Sequence, residues 1–342
     1  MPAYGARLYN GAGELLPRLT LLTVQAGTVV NGVGECTLTF ARAKTPWVWW
    51  KDARYADVWR LDAPVARIGA FWLETWTEKA DRGAVSWTVK GKTPLRLLEG
   101  REVQSLIPGG NACSLAASVM TQAFGGGLPY VPWAGFNGSS DGPSVGVDVR
   151  NGSALGVLQQ IADAAYLLAR PRRVLFDILP TYTTGNRLAL LGATWFGEYG
   201  ADRRVGYGAR PVALRVDAAT RDYEAAEDWS RLITVVNVAT LTTVTGTYKD
   251  MPPNNRWERT IGASGSSVGN ATAQARQLIT ESEPKLSIPI DLGRDAWQLG
   301  LRLGDVVSVA YGGRWGTGRL NVFHVAADAD RETVQARLDI DI

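Results

Sequence analysis

The stretch "RIGAFWLETWTE", Arg67 to Glu78, constrains the fold more than any other segment of this 342-residue chain. Its alternation is that of a β-strand. Phe71 and Leu73 fall on one side, followed by Thr75 and Thr77, while Trp72 and Trp76 fall on the other, between Glu74 and Glu78. An antiparallel strand with one wet face should carry one apolar side and one polar side. Here both sides carry large apolar groups, so something must cover the second face. Seven of the thirteen tryptophans lie between Trp47 and Trp87, more indole than one small core absorbs.

The surrounding sequence reads as α+β, predominantly antiparallel β, in three parts. Residues 1–98 alternate strands with turn clusters at sandwich or barrel spacing: "LPRLTLLTV", "ECTLTFA", "DVWRL", the strand above and "AVSWTVKG". Residues 99–215 carry two helical stripes. One runs through Leu115, Val119, Ala123 and Phe124. The other runs through Leu155, Leu158, Ile161, Ala162, Ala165 and Leu168, with Ser153 as its N-cap and Pro171 as its stop. Between them lies the loop-like "GGGLPYVPWAGFNGSSDGPSVG", and after them an expected hairpin, "VLFDILPTY" with "RLALLGATWF". From 216 to 342 strands resume around one expected helix, "ATAQARQLIT", capped by Asn270. The closing segments form a meander ending in "ETVQARLDIDI". The parts are thus two barrel-like β domains flanking a helix-containing middle domain.

Composition excludes several classes. The net charge of +3 is small for this length and implies no non-specific binding to nucleic acid or membrane. The N-terminus lacks a signal-peptide pattern, and no apolar run reaches the ~18 residues of a membrane helix. Cys36 and Cys113, with the lone histidine His324, lack the clustering a zinc site needs, and Cys36 reads as a small core residue, with a disulfide to Cys113 as the competing account. His324, on the side of Leu320 and Val322, reads as a half-buried strand histidine.

Catalytic patterns fare no better. "GSSVG" around Ser267 matches a nucleophile elbow, with Asp291, Asp295 or Asp305 and then His324 in permissive order. Its loose Gly/Ser context, however, lacks the preceding parallel strand. "KGKTP", Lys90 to Pro94, resembles a P-loop end, but Pro94 stands where a helix should begin. Glu74 and Glu78 beside tryptophans suggest a glycosidase pair, yet four residues along a strand separate their Cα atoms by ~13 Å. The expectation is a non-enzyme without cofactor or metal.

Along almost its whole length the chain resembles the baseplate-hub or tail-associated tip proteins of long-tailed bacteriophages. The resemblance is strongest in "DVWRLDAPVARIGAFWLETWTEKADRGAVSWTVKGKTPLRLLEGREV", at Gly69, Phe71, Leu73, Trp76, Gly91, Leu97, Leu98 and Arg101. It continues in "SALGVLQQIADAAYLL" and in "LRLGDVVSVAYGG", with Gly304 and Asp305 at a turn. It implies a homotrimer whose paired domains adapt a six-fold tail tube to a three-fold tip. Its partners would be a distal tail-ring protein, a tape-measure protein and fibre or spike proteins. DNA would pass through the lumen without sequence-specific binding, and no membrane anchor is implied. The location would be the virion tail tip, after assembly in the host cytoplasm. Trp72, Glu74, Trp76 and Glu78 are then candidate interface residues, with the same face covered inside one chain by the Trp47–Trp50 loop as the competing account. A Trp-rich carbohydrate-binding module of a virion or cell surface is the alternative function.

Overall fold

The computed structural model describes residues 4–16, 19–41, 52–81, 84–103, 110–124, 133–138, 142–145, 147, 152–169, 173–183, 187–197, 203–204, 207–208, 213–215, 222–224, 230–237, 242–248, 256–263, 285–292, 297, 301, 303–311 and 314–340. Ser267, Asp295, the Trp47–Trp50 loop and the expected helix after Asn270 lie outside them.

The N-terminal third forms six strands: β1 (Tyr4–Asn10), β2 (Leu19–Val29), β3 (Glu35–Ala41), β4 (Ala53–Arg60), β5 (Ala66–Asp81) and β6 (Ala84–Lys92). They are hydrogen-bonded in the order β1-β4-β5-β6-β3-β2, and β1 also pairs antiparallel with β2 through Gly5↔Thr20 and Ala6↔Leu19. Alternation dictates the inward face. On β1, Tyr4, Ala6 and Leu8 enter the core with Leu38 and Phe40 of β3, Val58 of β4 and Phe71 and Leu73 of β5.

The last third joins the same sheet. β2 pairs with the strand Arg314–Ala327 from Val24↔Ala327 to Val29↔Val322, and that strand forms a hairpin with Glu332–Ile340. The result is a twelve-stranded, mostly antiparallel sheet shared by both ends of the chain. Its core is continuous: Leu320, Phe323, Val325, Val334, Ala336 and Leu338 belong to the same apolar cluster as the N-terminal strands. A bulge between Leu320 and Val322 resets the alternation, so Leu320 and Phe323 are both buried. His324 therefore does not share a face with Leu320 as expected. It stands half-buried beside Gly27, where an added Cβ would meet its Cδ2 at 3.2 Å.

The middle third builds a second core. A short turn of helix, α1 (Arg96–Glu99), leads to α2 (Ala112–Phe124) and α3 (Ala154–Ala169). Asn111 caps α2, its Oδ1 accepting from the amides of Cys113 and Ser114 at 3.1 and 3.2 Å. Ser153 caps α3 as its sequence predicts, its Oγ accepting from the Gly156 amide at 3.1 Å. Leu115, Val119, Ala123 and Phe124 are buried against Leu155, Leu158, Ile161, Ala162 and Ala165; the side chain of Leu168 lies outside the described set. The expected hairpin is present as Arg173–Thr183 with Arg187–Gly197. Part of the Gly/Pro-rich stretch is a strand rather than a loop: Trp133–Gly138 runs parallel to Arg187–Gly197. Backbone pairing to a formed hairpin overrides weak local propensity there.

Candidate assembly surface

The face question posed by β5 is answered by a bulge. Between Leu73 and Thr75 the register against β6 shifts, and Glu74 is the extra residue. Trp72 and Trp76, expected on one side, consequently go to different cores. Trp72 packs half-buried on the cluster of the middle third, edge-on to Tyr55 with ring centroids 5.0 Å apart. Trp76 joins the cluster of the large sheet and stacks on Phe40 at 6.4 Å.

The two acids separate as well. Glu74 is exposed and pairs with Arg96 of α1 at 3.3 Å. Glu78 is exposed and accepts from the Trp87 indole Nε1 at 3.0 Å. The P-loop-like segment is a strand end and turn: Thr93 Oγ1 accepts from the Gly34 amide at 2.9 Å, and the Thr93 amide donates to the Gly34 carbonyl at 2.8 Å.

Two polar seams hold the thirds of the chain together. The first joins β1 and β4 to the last hairpin. The fully buried Glu332 carboxylate accepts through Oε1 from Arg60 Nε at 2.9 Å, from Trp297 Nε1 at 3.1 Å and from the Tyr4 hydroxyl. Arg60 lies over the Trp297 ring at 5.7 Å and donates to the carbonyls of Asp62 and Pro64. Burial pushes the Glu332 carboxyl toward neutrality. The bonds from Arg60 and Tyr4 and the Arg60 charge outweigh that and hold its pKa below the ordinary value. Burial, reinforced by Glu332, pushes the Tyr4 hydroxyl well above its usual range, so it stays a donor.

The second seam joins the β2–β3 turn to the middle third of the chain. Asn31 sits at φ 53°, in the left-handed region that asparagine tolerates. Its side chain imitates a neighbouring strand, donating to the Val174 carbonyl at 2.9 Å and accepting from the Phe176 amide at 2.8 Å. Gln159 of α3 donates to the Asn31 carbonyl at 3.0 Å. Sequence reading missed both seams. Asn31 beside Gly32 reads only as turn chemistry, and Arg60 and Glu332 carry no local mark of their pairing.

Nothing among the described residues gathers the groups a metal would need, and no helix among them is long and apolar enough to cross a membrane. Cys36 and Cys113 are both buried, in separate cores, and are not bonded to each other. What the geometry offers is packing, seams and edges.

This architecture is the fold of phage tail and baseplate proteins, as the sequence resemblance implied. The chain superposes on the tail protein from Neisseria meningitidis MC58 with a TM-score of 0.60 and 14% identity, over 99% of this chain and 97% of that one. It is similarly close to the 43 kDa tail protein of prophage MuSo2 from Shewanella oneidensis, with a TM-score of 0.56 and 12% identity over 98% and 97%. A chain of the phage P2 baseplate in its activated conformation matches at a TM-score of 0.51 and 12% identity, over 98% of each. No protein-family model and no curated protein matches the sequence.

Proposed function

We propose that the chain is a structural virion protein, a homotrimeric hub at the tip of a phage tail. The observation that carries this is the end-to-end likeness to the Neisseria meningitidis tail protein, which covers nearly the whole of both chains. The neighbours' names share a place in phage tails and baseplates.

In this reading the three copies adapt a six-fold tube to a three-fold tip around a channel. A distal tail-ring protein binds above and fibre or spike proteins below. The tape-measure protein, and later DNA, occupies the lumen. The protein performs no bond chemistry, is assembled in the host cytoplasm and resides in the virion. The barrel-like character of residues 1–98 is supported by the second pairing of β1, to β2. A division near residues 98 and 215 is supported by the two separate apolar clusters, one helical and one shared by the outer thirds. Trp72, Glu74, Trp76 and Glu78 remain candidates for contact between copies, since each keeps solvent-accessible surface in the single chain. Sugar stacking lacks comparable support, because Trp72 and Trp76 do not share one open face.

Light scattering on the purified protein, with negative-stain images classified by symmetry, tests the reading. A three-copy mass with three-fold classes is expected. A stable single-copy particle overturns it.

A further inference from the structure

We propose that the outer face of β1, β4 and β5, beside the turn at residues 61–65, is a docking surface for a carboxylate-bearing segment of another protein. The inference stands without the tail-tip reading. On this face the strands set Arg7 opposite Asp57, Gly5 opposite Trp59, and Trp59 opposite Arg67. Asp57 is buried and both its oxygens are engaged: Oδ1 accepts from Arg67 Nε at 2.7 Å and Oδ2 from Trp59 Nε1 at 2.7 Å. The Trp59 indole is thereby held in place. Arg67 lies 5.9 Å from its ring centroid and Arg7 5.6 Å.

The charges do not balance. Asp57 answers Arg67, whereas Arg7 makes no ion pair among the described residues and only leans on the indole. Among the described residues, two further acids act on Arg60 instead: Glu332 is buried against it, and the charge of Asp62 acts on it. The turn that follows β4 carries two of the most exposed large apolar side chains described, Leu61 at 53% and Val65 at 64%. Leu61 lies over bare Gly5, where an added Cβ would meet its Cδ1 at 3.0 Å. A tryptophan, two arginines and flanking aliphatic groups are the composition of an interface anchor. An occupant must supply an anion to Arg7 and apolar groups to Leu61 and Val65. A peptide segment mixing carboxylates with aliphatic side chains does both. A nucleic-acid backbone supplies only the anion, and a neutral glycan leaves Arg7 unanswered.

The test uses the full chain and a fluorescein-labelled peptide of alternating Leu and Glu, followed by fluorescence anisotropy at low and high salt. Saturable binding is expected, weakened by salt and reduced about tenfold by Arg7→Glu and by Val65→Glu. Val65 is exposed on a turn, so its variant keeps the proposal testable should Arg7→Glu fold poorly. No saturable binding at millimolar peptide overturns the proposal. So does binding unaffected by both variants, or equal affinity for a labelled oligothymidylate of the same charge. Loss of self-association in Arg7→Glu, read by light scattering, also overturns it, because the face would then serve a second copy. A single-copy wild-type particle that binds the peptide removes the hub reading and leaves this one standing.

Discussion

Arg60 and Glu332 stand 272 residues apart in sequence and 2.9 Å apart in space, with both side chains nearly or fully buried. The pair ties the first sheet strands to the final hairpin. Removing one partner strands the other charge away from water, at a cost of about 3–5 kcal/mol. Glu332→Ala is expected to lower the unfolding free energy, read from urea denaturation, by that amount, whereas Asp328→Ala on the exposed turn before it should cost far less. Equal effects of the two substitutions would show that the seam contributes little.

The same pair sets an acid limit. The folded pKa of Glu332 lies below its ordinary value of 4.5. Its stabilisation is therefore fully present above about pH 4.5 and is lost as pH falls through the lower folded value. Thermal melts between neutral pH and pH 3 should fall in the wild type and flatten in Glu332→Gln. Parallel curves for the two proteins would remove Glu332 as the titrating group.

Cys36 should be inert while the protein is folded. Burial foremost, with a small push from Glu35, raises its thiol to about 12 against the opposing bond from Gly91. At pH 8 a thiol reagent should leave both buried cysteines unmodified, and denaturant should release two equivalents. Prompt labelling of the native protein would mean that its core opens readily.

Gly91 lets β6 approach both neighbours. It pairs with Cys36 on one side and Leu73 on the other, and an added Cβ would meet the Trp72 carbonyl oxygen at 2.4 Å and Cys36 Sγ at 3.3 Å. Backbone cannot swing aside as a side chain does. Gly91→Ala is expected to cost about 2 kcal/mol or more, read by chemical denaturation. Gly100→Ala, where an added Cβ meets nothing within 4 Å, is the matched control.

Asn31→Gly should keep the left-handed turn yet lose two hydrogen bonds to the strand Arg173–Thr183, at about 1–2 kcal/mol. Hydrogen exchange should then accelerate at Phe176 while β3 and β6 stay protected. Uniform acceleration across both regions would mean that the seam does not act locally.

Much of the secondary structure was legible because it is written in local alternation. The stripe from Leu155 to Ala165, the Ser153 cap and the hairpin after Arg173 need only neighbours in sequence to be read. The bulges after Leu73 and Leu320 leave no such mark, since one extra residue in a strand looks like any other residue. Missing the first placed Trp72 and Trp76 on one face, and missing the second placed His324 with Leu320. The joining of β2 to Arg314–Ala327, and of Arg60 to Glu332, depends on partners hundreds of residues away. The strand Trp133–Gly138 was hidden by its glycines and acquires its form from the hairpin beside it.

The β2 seam has a consequence for how the protein is made. During synthesis the first six strands leave the ribosome long before residues 314–327 exist. One flank of β2, with its row of unanswered amides and carbonyls, must wait until that strand, nearly three hundred residues further along, has been made. Until then it is a template for any passing strand, and crowding of nascent chains on one messenger, rather than the finished particle, is where misassembly is most strongly invited.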